Sequence, residues 1–183
     1  MEIPLTQGKV ALVDEEDFEK VSQYKWCTYH PKSRTSACAT RTEYLGKIDG
    51  KYRGTLRYLH RYIMECPEGY SIDHIDRNGL NNSKSNLRLA NRTQQMLNIA
   101  PRRNSSSKYV GVSYKKSHGK WVAQMATNYK RKYIGIYSSE EEAARAYDKA
   151  AVEYWSQVPD DPISGNYTQF LYLNFPEENV NVL

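Results

Sequence analysis

The chain has 183 residues, 39% of them apolar and 26% charged, and a formal net charge of +5, a balance that fits one ordinary globular domain or two to three small ones. No stretch approaches the roughly 20 consecutive apolar residues of a membrane span, and the first residues lack the basic-then-apolar order of a secretion signal, so a cytosolic protein is expected. Three cysteines, Cys27, Cys38 and Cys66, without a CxxC pair argue against a disulfide framework.

In chain order, the first fifty-odd residues carry an acidic run from Asp14 to Asp17, then Tyr24 and Trp26, then Thr- and Tyr-rich pieces split by Gly46, Gly50 and Gly54; short strands and turns are predicted there. Thr55 to Met64 reads as a strand passing into a helix that Pro67 and Gly69 end. From Tyr70 the order is a strand at Ser71 to Ile75, a polar loop, a strand at Leu87 to Ala90 and a helix at Thr93 to Ile99. The polar run Pro101 to Ser107 is the clearest linker.

Beyond it, Tyr109 to Lys116, Lys120 to Thr127 and Arg131 to Tyr137 alternate in polarity, with turns at Ser117-His118-Gly119 and Asn128; three antiparallel strands are predicted. Ser139 with Glu142 forms a capping box at the head of a helix running to about Ser156. Ala143, Tyr147, Ala150, Ala151 and Tyr154 fall on one face of it. The fold class is therefore α+β: a β-rich N-terminal module, a central ββα module, and a three-stranded sheet packed on one helix.

Charge is unevenly spread. From Arg77 to Ser139 there are thirteen Lys or Arg residues and no Asp or Glu, so a polyanion is the expected partner. Just before that reach Asp73 and His74 end a strand, and within it Asn86 stands across the loop and Gln95 lies on the next helix. Carboxylate and amide oxygens suit a hard divalent ion that clamps a phosphate, and imidazole can take a proton from water near neutral pH. Cys27 and His30, with Cys38 and Cys66, are a rival zinc set, but zinc sites usually show paired knuckles, so buried free thiols are expected instead.

Leu59-His60-Arg61, Pro67-x-Gly69, Ile72-Asp73-His74-Ile75-Asp76, Asn81-Asn82 and Ser85-Asn86-Leu87-Arg88 together resemble the HNH homing endonucleases of phages and introns. The resemblance covers about Leu59 to Asn98 and implies a ββα-metal fold. It makes Asp73 a metal ligand, His74 the general base and Asn86 the residue that orients the base and braces the loop, with Mg2+ or Mn2+ as cofactor. Gln95 stands where similar proteins carry Asn as second metal ligand; its extra methylene moves the amide oxygen by about an ångström and a half. Asn98, one helical turn on, ranks below it, and His60 is read as a packing or phosphate-contacting residue.

Lys108 to Pro176 resembles the plant Apetala2 and ethylene-response-factor DNA-binding domain through Val110-Gly111-Val112, Gly119-Lys120-Trp121-Val122-Ala123, Tyr133-Ile134-Gly135, the run Glu141 to Ala151, and Leu173-Asn174-Phe175-Pro176. Period-two counting puts Val110, Val112, Tyr114, Trp121, Ala123, Met125, Ile134 and Ile136 under the helix. Ser113, Lys115, Lys120, Gln124, Arg131 and Tyr133 then fall on the face where that family meets the major groove. Arg102 and Arg103 in the linker and His118 are further candidate DNA contacts.

The expected organisation is a DNA-contacting module over 1–58, the nuclease module over 59–100, a linker over 101–107, the DNA-binding domain over 108–176 and a tail over 177–183. The expected activity is site-specific, metal-dependent cutting of double-stranded DNA, homing in type, with nicking of one strand left open. The chain would act as a monomer, in a phage-infected bacterium or another intracellular DNA compartment. The alternative is a catalytically impaired HNH protein that regulates by binding DNA. An RNA-associated role lacks the aromatic ribonucleoprotein or GXXG signatures it would need.

Overall fold

In the computed structural model, which describes residues 1–31, 36–101, 104–127 and 130–179, the alternation at the N-terminus pairs β1 (Glu2–Pro4) antiparallel with β2 (Val10–Leu12), placing Ile3 opposite Ala11. Both are buried while their neighbours are exposed. The acidic run is not a turn: it opens α1 (Glu15–Ser22), whose first turn holds Glu15, Glu16 and Asp17 against the positive end of the helix dipole. Val21 of α1 and the fully buried Trp26 begin the core, and the Trp26 indole N–H donates to the Val21 carbonyl at 2.8 Å.

An antiparallel sheet follows in the order β3 (Cys27–Tyr29), β4 (Cys38–Ile48), β5 (Lys51–Tyr58). The β4–β5 turn is Asp49-Gly50, with φ of 50° and 74°, the positive pair that a two-residue I′ hairpin requires. β5 passes directly into α2 (Leu59–Ile63), and β6 (Ser71–His74) pairs with β7 (Leu87–Ala90) in a hairpin. Ile72 and Leu87 join Leu59, Ile63, Val13, Val21 and Trp26 in one apolar cluster, so the β6–β7 hairpin is anchored by its own inward residues. Of the cysteines, Cys38 is buried and Cys66 half-buried, but Cys27 is exposed, because it alternates outward from Thr28 on the short β3.

The chain divides into two compact units, Met1–Asn91 and Arg92–Leu183. The second begins with α3 (Arg92–Leu97) and contains β8 (Val112–Lys115), β9 (Lys120–Thr127) and β10 (Lys130–Tyr137), ordered β10-β9-β8, with α4 (Glu140–Trp155). The Ser139–Glu142 capping box is formed in both directions. Ala143, Ala144 and Ala151 are buried against Val112, Ala123 and Met125, so small helix residues let α4 lie close on the sheet. Ala150 and Tyr154 are half-buried.

One facing assignment is corrected. The register slips between Tyr133 and Gly135, after which Ile136 pairs with Val122 and Tyr137 with Trp121. This bulge at Ile134 reverses the alternation, so Ile136 is exposed on the outer face and Tyr137 packs inside. Tyr114 shares the inner face with Trp121, their rings 5.0 Å apart, yet remains exposed on the edge strand.

Asp148 of α4, buried, accepts from the Asn174 backbone N–H and side-chain amide at 3.0 Å each and from the Phe175 N–H at 2.8 Å. These bonds pin the closing segment to the helix. Burial pushes its carboxyl above the ordinary range although the three hydrogen bonds pull the other way. Gly111 has φ of 74° and lies against Tyr147: a Cβ there would come within 2.0 Å of the ring. α3 is held by Gln94, fully buried, whose amide donates to the Gly165 carbonyl at 3.0 Å and accepts from the Ser164 hydroxyl.

Candidate active site and nucleic-acid interface

The β6–β7 hairpin sets the site. Its register puts Asp73 opposite Arg88 and His74 opposite Leu87, and adjacent strand residues point to opposite faces. Asp73 Oδ2 accepts from Arg88 Nε at 3.0 Å and Nη2 at 2.9 Å, both side chains largely shielded from solvent. His74 turns to the inner face, buried, where its ring meets His60 edge-on with centroids 5.1 Å apart. His60, itself buried on α2, is stacked on Tyr58 at 5.4 Å. His60 thus backs His74 and is itself backed by Tyr58, and the reading of His60 as a packing residue agrees with this contact.

His74 Nε2 lies 3.4 Å from Asn82 Oδ1. An amide oxygen only accepts, so Nε2–H donates and Nδ1 is the basic nitrogen of that tautomer. Asn82 is completely buried, and its Nδ2 has no hydrogen-bond partner among the described residues. Its backbone N–H bonds the Leu12 carbonyl at 2.8 Å, and Leu12 N–H returns to Leu80, so β2 holds the loop that carries it.

Asn86 braces the same loop. Its Oδ1 accepts from Asp76 N–H at 3.0 Å, and its Nδ2 donates to Asp76 Oδ1 at 2.9 Å and to the Asn81 carbonyl at 2.8 Å. Asn81 Nδ2 completes the ring by donating to Asp76 Oδ2 at 2.8 Å. At Asp76 burial is the largest single influence and raises the carboxyl, but the hydrogen bonds from Asn81, the Asn78 N–H and Asn86 outweigh it, leaving the group below the usual carboxylate range.

Asp14, Glu16 and Asp17 bring three carboxylates together. Lys84 already meets them: its ammonium pairs with Glu16 and Asp17, and its backbone N–H donates to Asp14 Oδ2 at 2.7 Å. The acidic run therefore fastens the turn at Lys84–Asn86 that delivers Asn86. Asp73 offers oxygen donors of the kind a hard divalent ion takes. Gln95 is half-buried on α3, in the second unit.

In the second unit, Ser113, Lys115, Lys120, Gln124, Arg131 and Tyr133 share the face of the sheet turned away from α4, as the pairs Lys115↔Lys120, Ala126↔Arg131 and Gln124↔Tyr133 require. Lys115, Lys120, Arg131 and Tyr133 are exposed, Ser113 and Gln124 half-buried. His118 sits exposed in the turn before Gly119. Arg102, Arg103 and Asn128 lie outside the described residues.

A family model described as HNH endonuclease matches residues 57–97, and one described as AP2 domain matches residues 107–157. An uncharacterized HNH endonuclease of Acanthamoeba polyphaga mimivirus is 33% identical over 153 residues, which is 82% of this chain and 73% of that protein. The chain belongs to the HNH endonuclease family. The second resemblance covers a shorter segment: an ethylene-responsive transcription factor of Arabidopsis thaliana is 46% identical over 50 residues. An APETALA2-like protein of Oryza sativa is 47% identical over 51. Those matches cover 26% and 27% of this chain and 12% of each plant protein. No solved structure matches. This HNH family member thus joins an HNH domain to an AP2 domain on one polypeptide, and among the described residues no helix is long and apolar enough to cross a membrane.

The three site features that reading the sequence missed are Asn82, the Asp73–Arg88 pair and the Lys84 anchor. The pair had a signal, since two strands closing on one loop bring equidistant residues opposite. The anchor depends on contacts about 70 residues apart in sequence, which no local pattern carries.

Proposed function

We propose that the chain is a metal-dependent endonuclease that hydrolyses phosphodiester bonds in double-stranded DNA at a specific site, homing in type, and acts as a monomer. The observation that carries this reading is the buried His74, backed by His60 and held by Asn82 Oδ1 at 3.4 Å, one residue from a carboxylate. His74 takes a proton from the attacking water through its basic ring nitrogen. Asn86 keeps the loop closed behind it, and Asp73 would hold Mg2+ or Mn2+, with Gln95 the second ligand that the resemblance implies. The ion would supply charge neutralisation at the scissile phosphate. Arg88 pairs with Asp73 and keeps that carboxylate aimed.

The AP2 domain supplies the search for DNA. Ser113, Lys115, Lys120, Gln124, Arg131 and Tyr133 would face the major groove, and Arg102 and Arg103 would add phosphate contacts from the linker. A second reading, a DNA-binding regulator with impaired cutting, is favoured by Gln95 alone. The experiment is a supercoiled-plasmid assay with Mg2+ or Mn2+ against chelator, run beside His74→Ala. Metal-dependent nicking or linearisation that His74→Ala abolishes, with DNA affinity within a few fold, supports the enzyme. Cutting that survives the substitution refutes His74 as the base.

A further inference from the structure

The segment that follows α4 lies beyond the AP2 match, which ends at residue 157, yet it is well built. Asp161 and Gly165 exchange backbone hydrogen bonds at 3.1 and 2.8 Å. Inside that loop Asp161 Oδ1 accepts from the Ile163 N–H at 3.0 Å and from the Ser164 N–H and hydroxyl at 2.8 Å each. A short helical turn follows at Tyr167–Phe170, where Thr168 and Phe170 are buried and Tyr167 stacks on Trp155 of α4 with ring centroids 5.4 Å apart. The loop is therefore locked within itself and fastened to the long helix of the AP2 domain.

What it holds is α3. A helix of six residues is far shorter than the roughly 12–15 that stand alone in water, so its rotation about its own axis comes from what it packs against. Gln94 and Leu97, three positions apart, share one face, and both are taken by the loop. The buried Gln94 amide donates to the Gly165 carbonyl and accepts from the Ser164 hydroxyl. Leu97 packs with Trp155, Tyr167 and Leu171. Its carbonyl, one of those that a helix end leaves unsatisfied, accepts from the Tyr172 N–H at 2.9 Å. A polar contact and an apolar contact on the same face leave α3 a single rotation. Gln95 then stands about 100° round the helix from Gln94, half-buried and outside those contacts.

We infer that residues 161–172 form a clamp that aims Gln95, with Gln94, Ser164 and Asp161 as positioning residues for the nuclease reaction. The HNH match runs to residue 97, and its last six residues belong to the second unit. The rotation of that helix is thus set by a loop that neither family match includes. Released from the clamp, α3 turning by one residue would swing the Gln95 amide by about 100°. The inference rests on the reading of Gln95 as a metal ligand.

The test uses the full chain and needs no cutting. Gln94→Leu keeps the buried bulk but neither hydrogen bond, Ser164→Ala removes only the hydroxyl, and Ser164→Thr retains it. Hydrogen exchange of the peptide 92–98, followed by mass spectrometry in chelator, should speed up by about tenfold in the first two variants, while α4 exchanges as in wild type and shows that the unit is folded. Mn2+ affinity, followed by electron paramagnetic resonance, should weaken by about tenfold in both and match Gln95→Ala, with Ser164→Thr near wild type in both measurements. Unchanged exchange of α3 overturns the clamp. So does faster exchange with unchanged Mn2+ affinity, provided that Gln95→Ala weakens it. A Gln95→Ala variant that binds Mn2+ as well as wild type overturns the ligand reading, and with it the aim assigned to the clamp.

Discussion

Replacing Asn82 by leucine should slow cleavage while leaving the fold nearly as stable as before. Two buried terms oppose each other. Wild type holds an orphan Nδ2, a defect worth about 1–3 kcal/mol, and leucine removes it. The substitution also takes the acceptor from His74 Nε2, costing a similar amount at a buried donor. The difference should fall within about 1 kcal/mol, or roughly 4–8 °C in Tm for a unit of this size. The rate responds differently, because the Asn82 oxygen at 3.4 Å helps aim the ring in that tautomer. Second-layer partners of this kind are worth about 10- to 100-fold, so single-turnover cleavage at saturating enzyme should fall by that factor, with DNA affinity in chelator unchanged. Asn82→Asp, which keeps an acceptor, should recover part of the loss. A leucine variant that cuts at the wild-type rate would refute the role. So would one that unfolds, since Asn82 would then be structural.

Gly111→Ala meets both a φ of 74° and the Tyr147 ring, so the second unit should lose about 2–4 kcal/mol, seen as a lowered melting transition. Lys115→Ala with Arg131→Ala should reduce the salt slope of DNA binding by roughly two; an unchanged slope would remove both from the interface. Asp148, with its carboxyl raised by burial, favours the folded state most when protonated. That contribution is present in full below the ordinary value of 3.8 and is lost as pH rises through the raised one. The Tm of wild type relative to Asp148→Asn should therefore fall as pH is raised from about 4 to 7, and a constant difference would contradict it.

Local signals carried most of the second unit. The capping box at Ser139, the alternating strands and the alanine face of α4 depend on residues close in sequence, and each forms where the pattern puts it, except that the first strand spans only Val112–Lys115 rather than Tyr109 to Lys116. The error at Ile136 came from a bulge, which one extra residue creates without any change in composition. The β4–β5 hairpin was read only as pieces split by glycines, because its strands lack the buried alternation that announces a hairpin: their outer part is exposed. The acidic run hid α1, its charges suggesting a loop until Lys84 of the distant turn is seen to meet them.

At the site, the Asp73-His74 pair and Asn86 were readable as a spacing, but their surroundings were not. Asn82 lies among ordinary loop polar residues; the bonds that tie its loop to Leu12, 70 positions earlier, turn it toward the histidine. The neighbouring amides Gln94 and Gln95 show the same limit. Counting along the motif selects Gln95, while the fold buries Gln94 and uses it to hold α3 in the second unit.

The most direct measurement is cleavage of a bound DNA target with Mg2+ or Mn2+, comparing this chain with its Gln95→Asn variant and with chelator as control. The account predicts that both proteins cut, that chelator stops both, and that the asparagine, nearer the geometry of similar proteins, cuts at least as fast. If neither cuts DNA that each demonstrably binds, the chain is not a working endonuclease and the regulatory reading replaces it.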